Sequence, residues 1–582
     1  MESKDRTQDN IQTNNSTQKP LKKVGKKKVS QEDQQRLDNM RRPSKASKVC
    51  SPRAADKKAG EGYVAPKPAQ QPRRKGSSSG KKKEEELTSS AKVKILVEEL
   101  YDLVYDNRTG QALVLEKQGN RIARPLESKE VISLMFIELM EQGEDIPWDV
   151  VEKFCKVIGQ KVKYLGEEVR SYTNVAYGEN NRKRIIDLRQ RSGVLAVLED
   201  GEVKMVEEGE PTIMLRLPAM APYPLPATTP DPDLDGLNHL IEIINTPEEE
   251  QYLVLCWMAY VLSHPLDPMV SQVFLVLLGG QGAGKSSFSK WVLRRFVDPS
   301  KISVSELPKN LDDLAVASNF TYMVILDNLR DLPVNSSDRL CRMSTGGESL
   351  KRQLYSDGNA FVSSLQAPLV INGIVNPVTE PDLSSRCLFV HFQALGEGER
   401  ITEKEMVNHL EAHEGEIFRA LLELAAQALN IVDDVVPKRP QRMLDFSRWL
   451  AACEQVMGLE AGYLEDAYAI NQAHAYESSI GEKPLANALY NFALLYCFDE
   501  PWMGTCGDLL PLLEELVSDR DIRAHFNEFP HNAASLGRRF TQHAASLDAL
   551  GVKLERLPRS RNRQVKISLK ADCPRLAELA QD

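Results

Sequence analysis

Large apolar side chains are sparse in the first 90 of the 582 residues, which are rich in Lys, Gln, Asn, Ser and Pro. Such a stretch cannot bury enough surface to offset its chain entropy, so it is expected to be disordered. From about Lys92 the pattern changes. Ile95–Tyr105 runs into a turn signal at Asp106–Gly110, and helical spacing appears over Lys129–Glu141 and Trp148–Gly159. Shorter β-rich runs follow at Thr173–Tyr177, Arg184–Arg189, Gly193–Leu198 and Val203–Glu207, with Asp200-Gly201 as a hairpin turn. Prolines punctuate Pro218–Pro232, Leu234–Pro265 reads as one helix, and three apolar runs read as strands: Val273–Leu278, Thr321–Leu326 and Pro368–Ile371. Beyond them, Thr402–Val432 is a long helical pattern cut by Gly415, and helix continues to about Phe498. Near the end, Trp502–Thr505 opens a turn, Thr505 caps a helix over Asp508–Val517, Ser535–Leu550 is an amphipathic helix, and two strands flank the basic turn Pro558–Arg563.

The run Val273–Leu278 stands directly against Gly279-x-x-x-x-Gly284-Lys285-Ser286, and an amphipathic segment follows with Phe288, Trp291, Val292 and Phe296. Strand, glycine-rich loop and helix come in the order a P-loop requires. Glycines let backbone N–H groups turn inward around a triphosphate, and the helix N-terminus adds positive dipole. Gly279, Gly280, Gln281, Gly282, Ala283, Gly284, Lys285, Ser286 and Ser287 are the candidate ATP contacts. Lys285 reaches the β- and γ-phosphates in this reading, and the Ser286 hydroxyl is a Mg²⁺ ligand.

About forty residues on, Thr321-Tyr-Met-Val-Ile-Leu ends in Asp327-Asn328. Mg²⁺-dependent hydrolysis needs a carboxylate at a strand end, expected beside the glycine-loop strand, and Asp327 fits that Walker B role as a second metal ligand. Many ring ATPases place a Glu next, to polarise the attacking water; here Asn328 follows, and an amide orients water without accepting its proton. Either the base lies elsewhere, with Asp331 the nearest candidate, or turnover is slow.

A third strand ends at Asn372-Gly373, and Ser385-Arg386-Cys387 precedes a fourth, Leu388–Phe392. P-loop, Walker B, an Asn at a strand end and an Arg before the last core strand together resemble an AAA+ ATPase. More narrowly, they resemble the superfamily 3 helicases and primase-helicases of phages, plasmids and integrated elements, firmly over 270–395 and loosely over 91–582. The resemblance implies a P-loop core with a parallel sheet and helices on both faces. It makes Asn372 the sensor of the γ-phosphate or the water, and Arg386 a finger reaching the ATP of a neighbouring subunit. It also implies a ring, expected as a hexamer, and a primase or another replisome protein as partner.

Between Asp327 and Asn372, Asp357-Gly358 separates two β-prone runs and reads as a hairpin turn. Related helicases place a DNA-gripping hairpin here, which makes Lys351, Arg352 and Tyr355 the candidate phosphate and stacking contacts. In the last hundred residues, helix, helix and a hairpin with an arginine-rich tip resemble a winged helix-turn-helix. Arg538 and Arg539 would lie on its recognition helix, and Arg559, Arg561 and Arg563 on its wing. Single-stranded DNA in the pore and duplex DNA at this domain are the expected nucleic-acid partners.

The fold class is therefore multidomain α/β: a disordered basic tail (1–90), an α+β accessory domain (91–217), a Pro-rich linker (218–233), the ATPase core (234–395), a helical lid (396–484) and a winged-helix domain (485–582). A priming active site is not expected in the accessory domain, because the nearby D-x-D spelling, Asp231-Pro-Asp233, falls in the linker. Arg442 and Arg448 follow the core in a segment that resembles one found after the ATPase in such element proteins; either would sense nucleotide from the lid, against the plainer reading of helix-surface arginines. The net charge of −9 hides an asymmetry: about +15 in residues 1–83 against about −24 in the rest, which suits a tail that binds DNA non-specifically or merely solubilises. Nine cysteines show no C-x-x-C pair and no histidines cluster near them, so neither a zinc site nor a disulfide framework is expected. The longest apolar run, near Tyr252–Leu262, is too short for a membrane span, and the polar N-terminus carries no secretory signal; a cytoplasmic location is expected. The reading that emerges is an ATP-dependent DNA helicase or translocase for replication of a phage or integrated element. Its rival is an origin-binding initiator, helicase loader or regulatory ATPase that uses ATP as a switch without translocating.

Overall fold

The computed structural model describes residues 87–308, 314, 317, 318, 320–346, 348–352, 360–364, 366–396, 401–481, 483–517, 529–558, 563–570 and 573. The basic tail lies outside them up to residue 86. The Thr88 hydroxyl accepts from the Ala91 amide (3.3 Å) and so starts α1 (Ser89–Leu100), which passes directly into β1 (Tyr101–Asp106). β1 pairs antiparallel with β2 (Gln111–Glu116) across the expected turn, and β2 with β3 (Ile122–Pro125). On this sheet lie α2 (Lys129–Glu141) and α3 (Trp148–Leu165), α3 directing Val151, Cys155, Gly159 and Val162 inward at helical spacing. β4 (Glu167–Val169) adds parallel to β1. A meander follows, β5 (Val175–Tyr177), β6 (Arg184–Asp187), β7 (Leu195–Glu199) and β8 (Glu202–Val206). Its last turn holds Asp200 and Gly201 at φ 53° and 79°, the positive values a two-residue hairpin favours. β9 (Met214–Leu215) returns to the first sheet beside β3.

The proline-rich stretch expected as a linker is instead held against the fold. Tyr223 is buried, its hydroxyl donates to the Val297 carbonyl (2.6 Å), and its ring stacks on Phe418 at 5.1 Å. Prolines suit this path because they fix φ and lose little freedom on ordering. The single helix expected over Leu234–Pro265 is broken: a 3₁₀ turn and α4 (Asn238–Ile241) precede Pro247, and only then does α5 (Glu248–Ser263) begin. Pro247 supplies no N–H for continuation and suits a helix start. α5 is buried from Leu253 to Ser263.

β10 (Phe274–Gly279) leads into α6 (Lys285–Ser287), a π-type segment (Phe288–Leu293) and α7 (Arg294–Phe296). With β11 (Val324–Leu329) and two later strands it forms a parallel sheet. α8 (Val334–Thr345) and the hairpin β12 (Glu348–Arg352)–β13 (Ala360–Ser364) come before β14 (Leu369–Gly373); α9 (Pro381–Ser384) precedes β15 (Cys387–Phe392). The strand order is β11-β14-β10-β15. Both faces are covered: Leu275 and Leu277 of β10 join the core built with α5, while Phe274 and Val276 join a second core with Leu340, Met343 and Leu383. Continuous apolar strands are the physical signature of that arrangement.

α10 (Glu403–Ile431) is not cut at Gly415. The glycine is there because the proline-rich strap crosses it; a Cβ would stand 3.3 Å from the Leu225 carbonyl oxygen. Helices α11 (Leu444–Val456), α12 (Tyr463–Gly481) and α13 (Pro484–Tyr496) lead to β16 (Trp502–Thr505), a strand where a turn was expected. Thr505 caps α14 (Cys506–Glu515) through a reciprocal box with Asp508. The helix expected over Ser535–Leu550 is two, α15 (Ala533–Arg539) and α16 (Ala544–Ala549), followed by β17 (Val552–Arg556) and β18 (Gln564–Leu569) in a sheet of order β16-β18-β17. Leu536, Phe540, Leu547 and Leu550 all enter one core, so the apolar rhythm runs on through the turn between the helices. Among the described residues no helix is long and apolar enough to cross a membrane.

Candidate functional site

The loop after β10 is shaped by three glycines at positive φ: Gly279 at 145°, Gly282 at 80° and Gly284 at 98°. A Cβ on Gly279 would fall 2.5 Å from the Phe392 carbonyl oxygen, so neighbouring β15 forbids any side chain there. Gly284 caps α6, and Lys285 at its first position folds back over the loop. Its ammonium donates to the carbonyls of Gly279 (2.7 Å) and Gly280 (2.9 Å). Burial pushes the Lys285 ammonium below its usual range, and the charge of Asp327 opposes that shift. The lysine is thus a cation parked on two neutral acceptors, which anionic oxygens would outbid.

Parallel strands carry the rest of the site to the same edge of the sheet. The Ser286 hydroxyl donates to the Asp327 carboxylate at 3.1 Å. Asn372 Nδ2 donates to Asp327 Oδ1 (2.9 Å) and to Ser289 Oγ (3.0 Å). The strand of Asp327 is not beside the glycine-loop strand, where the sequence pattern puts it: β14 lies between, with Asn372 in register with Leu277. Asp327 still reaches Ser286 because it lies in the C-terminal half of the strand, within the irregularity between Leu326 and Leu329. Asn328 follows at φ 57° with its side chain exposed, and Asp331 is exposed just past the strand.

Two participants carried no motif signal. Ser289, buried, tethers Asn372 to the helix after the loop. Glu403, at the start of α10, accepts from Ser287 Oγ (3.2 Å) and Trp291 Nε1 (3.3 Å), and lies 3.7 Å from Lys290. The capping box Thr402–Glu405 marks that helix start in sequence, but nothing local marks Glu403 as a loop contact. Beside the loop a cavity of about 550 Å³ is lined by Gly282, Ala283, Ser287, Glu242, Thr402 and Glu403 among others.

Arg386 stands elsewhere. It immediately precedes β15, whose first residue, Cys387, is in register with Phe274, at the far end of β10 from Gly279. Five strand residues at about 3.3 Å each put it roughly 17 Å from its own glycine loop. There it pairs with Asp382 (2.9 Å), which also pairs with Arg442 (2.6 Å). Burial raises the Asp382 carboxyl, but hydrogen bonds from Arg386, Cys341 and Arg442 outweigh it and hold the pKa at about 2. Ser385 Oγ accepts from Arg442 Nη1 at 3.1 Å.

Among the described residues, none of the expected DNA contacts lines the cavity beside the glycine loop. Lys351 and Arg352 lie on β12, opposite Phe361 and Ala360. Tyr355, Arg559 and Arg561 lie outside the described residues, and so does the Asp357-Gly358 turn. Arg538 and Arg539 end α15; Arg538 is exposed and Arg539 lines a cavity of about 870 Å³ shared with Asp382 and Arg442. Arg563 is exposed just before β18.

Residues 234–471 match the family model of the actinomycete integrative conjugative element replication protein. Residues 485–578 match that of the AICE RepA C-terminal domain. The two segments take in more than half of the chain, and the first contains the whole glycine-loop site. Among solved structures, one form of the NrS-1 C-terminal region aligns with 82% of this chain and 98% of its own, at 11% identity and a TM-score of 0.34. JCV helicase aligns over 42% of this chain and 65% of its own, at 12% identity and a TM-score of 0.21. Similarity at these scores carries no functional weight. No curated protein matches the chain.

Proposed function

We propose that this chain, which matches the model of a mobile-element replication protein over residues 234–471, acts as a Mg²⁺-dependent ATPase that moves DNA through a ring of its own copies. The observation that carries this reading is the convergence of Lys285, Ser286, Asp327 and Asn372 on one sheet edge beside a glycine loop. The Ser286 hydroxyl and the Asp327 carboxylate, 3.1 Å apart, fit adjacent corners of an octahedron with bonds of about 2.1 Å. They would hold Mg²⁺, which supplies charge neutralisation at the phosphates. Lys285 exchanges its two carbonyl acceptors for β- and γ-phosphate oxygens. Asn372, fixed by Ser289, directs an amide toward the γ-phosphate or the attacking water.

Arg386 is too far from its own loop to serve it, and its place at the opposite edge of the sheet suits action on a neighbour's ATP. In the ring it trades Asp382 for phosphate, which ties hydrolysis to subunit position. The β12–β13 hairpin, with Lys351 and Arg352, is assigned to single-stranded DNA. The domain from α13 onward is read as a winged helix that holds duplex DNA through Arg538 and Arg563. The steady-state ATPase rate with and without single-stranded DNA, against Lys285→Ala as blank, tests the reading. Several-fold stimulation by single strands is expected. Asn328 favours one second reading, a slow ATP switch that initiates replication or loads another helicase, and a rate indifferent to single strands would select it.

A further inference from the structure

Three of the nine histidines in the chain meet at one place. His239 comes from α4, while His409 and His413 stand one turn apart on α10, with Glu416 three residues further on. His239 Nε2 lies 3.3 Å from Glu416 Oε2, and His413 Nδ1 lies 3.1 Å from the same oxygen. A second triad shares His239 and adds His409 and Glu242, with His409 Nε2 3.7 Å from Glu242 Oε2. In each triad every ligand atom lies within 4.8 Å of the others.

We infer that His239, His413 and Glu416 form a binding site for a divalent transition-metal ion of the Zn²⁺ class. Donor separations of 3.1 and 3.3 Å match the edge of a tetrahedron whose metal–ligand bonds are about 2.0–2.1 Å, near 3.4 Å. Two imidazoles and a carboxylate suit Zn²⁺, Ni²⁺ or Cu²⁺ and discriminate against Mg²⁺, which prefers oxygen. The set also resembles a site with an open fourth position, since three protein ligands leave one for water. The His239 and His413 rings are stacked at 3.7 Å, and Nε2 of the first and Nδ1 of the second face the same Glu416 oxygen. Binding turns the rings out of that stack toward a common point, a small rotation for side chains that are 27% and 34% exposed. His409 Nε2 already contacts the His239 carbonyl (3.1 Å), which fixes the backbone that carries the first ligand.

The ion ties α4 to α10. Glu242, next to α4, and Glu403, the first residue of α10, both line the cavity beside the glycine loop. The metal therefore staples two walls of that cavity at a point outside it, independently of what the cavity holds. No cysteine stands beside these histidines in sequence, so Cys–His spacing does not mark the site. The usable signal is the His409-x-x-x-His413-x-x-Glu416 spacing on a single helix face.

The test is Zn²⁺ retention by the full chain, prepared without a polyhistidine tag and passed over a desalting column in millimolar Mg²⁺. About one equivalent of Zn²⁺ per chain is expected to remain, and added Zn²⁺ should raise the midpoint of heat unfolding. His413→Gln and Glu416→Gln should each weaken retention at least tenfold, while His391→Gln, outside both triads, should not. Glu416 is 58% exposed, so its variant tests the site even if His413→Gln folds poorly. No retention by the wild type, or equal retention by Glu416→Gln, overturns the site. Loss confined to His409→Gln and Glu242→Gln overturns this ligand set in favour of the neighbouring triad.

Discussion

Ser286 and Asp327, forty-one residues apart in sequence, meet through a hydrogen bond of 3.1 Å from the serine hydroxyl to the carboxylate. Each is held from behind: Ser286 by the turn that Gly284 permits, Asp327 by the Asn372 amide. A preorganised pair of oxygens is what a small cation requires, because it tolerates little distortion of its ligand shell. Asp327→Asn should therefore lower ATPase activity by about 100-fold or more, the range seen on losing one well-placed charge-stabilising group. Ser286→Ala should chiefly raise the Mg²⁺ concentration giving half-maximal rate. A Mg²⁺ titration of both variants decides it; an unchanged Mg²⁺ dependence in Ser286→Ala would remove that serine from the metal.

Lys285→Ala should abolish hydrolysis and weaken nucleotide binding, measured with a fluorescent ATP analogue. Among the described residues, the partly buried ammonium is held by the Gly279 and Gly280 carbonyls and faces the Asp327 charge. Truncating it leaves those carbonyls without their cation, so a modest loss of stability, about 1 kcal/mol, should accompany the loss of activity. Activity retained in this variant would exclude the loop as the nucleotide site.

Gly279→Ala separates loop shape from loop chemistry. No reactive group is lost, but the added Cβ would lie 2.5 Å from the Phe392 carbonyl oxygen at a φ of 145°. Strain of this kind costs on the order of 1–3 kcal/mol. The heat-unfolding midpoint should fall and nucleotide affinity with it; a variant as stable as the wild type would mean that β15 gives way more easily than its register with β10 implies.

How much of this was legible in sequence depends on how local each feature is. The glycine loop is written within eight residues, Gly279 to Ser286, and Gly279, Gly282 and Gly284 each answer a backbone need with a positive φ. Asp327 and Asn372 were legible as polar ends of apolar runs. Their order in the sheet was not, because parallel strands are placed by crossovers that no local pattern records. Gly415 looked like a helix breaker because intrinsic propensity is all that sequence shows; the strap that needs the glycine contacts it from Leu225 and Ala227, far back along the chain. The histidine cluster was half legible. His409 and His413 share a helix face, but His239 joins them from 170 residues away.

Arg386 yields a prediction that a single-subunit site cannot satisfy. Arg386→Ala should reduce ATPase activity by about 10³-fold if the guanidinium serves a neighbour. Mixing Arg386→Ala chains with Asp327→Asn chains should then recover activity that neither has alone, since an intact Asp327 site in one meets an intact arginine from the other. Asp382→Asn should keep activity or raise it, because it frees Arg386 from its ion pair. Absence of recovery in the mixture would confine Arg386 to its own subunit, where about 17 Å separates it from the loop.

The last prediction concerns acid stability and does not depend on nucleotide. His264 follows α5, is buried, and stacks on Tyr260 at 3.8 Å with the edge of Trp449 at 4.9 Å. Its Nδ1 lies 2.9 Å from the Tyr260 carbonyl and 3.0 Å from Ser263 Oγ. Burial, then the charge of Arg184, depress its pKa from 6.5 to about 3, against a smaller opposing effect of the Tyr260 carbonyl. The folded chain therefore holds this imidazole neutral while the unfolded chain takes up a proton below about pH 6.5. Its contribution to stability is complete above that value and is lost as pH falls toward about 3, at up to about 1.4 kcal/mol per pH unit for one proton. The heat-unfolding midpoint should thus fall between pH 6.5 and pH 4 more steeply in the wild type than in His264→Gln, which has no proton to take up there. Parallel curves for the two proteins would mean that this histidine is protonated as readily in the folded chain as in the unfolded one.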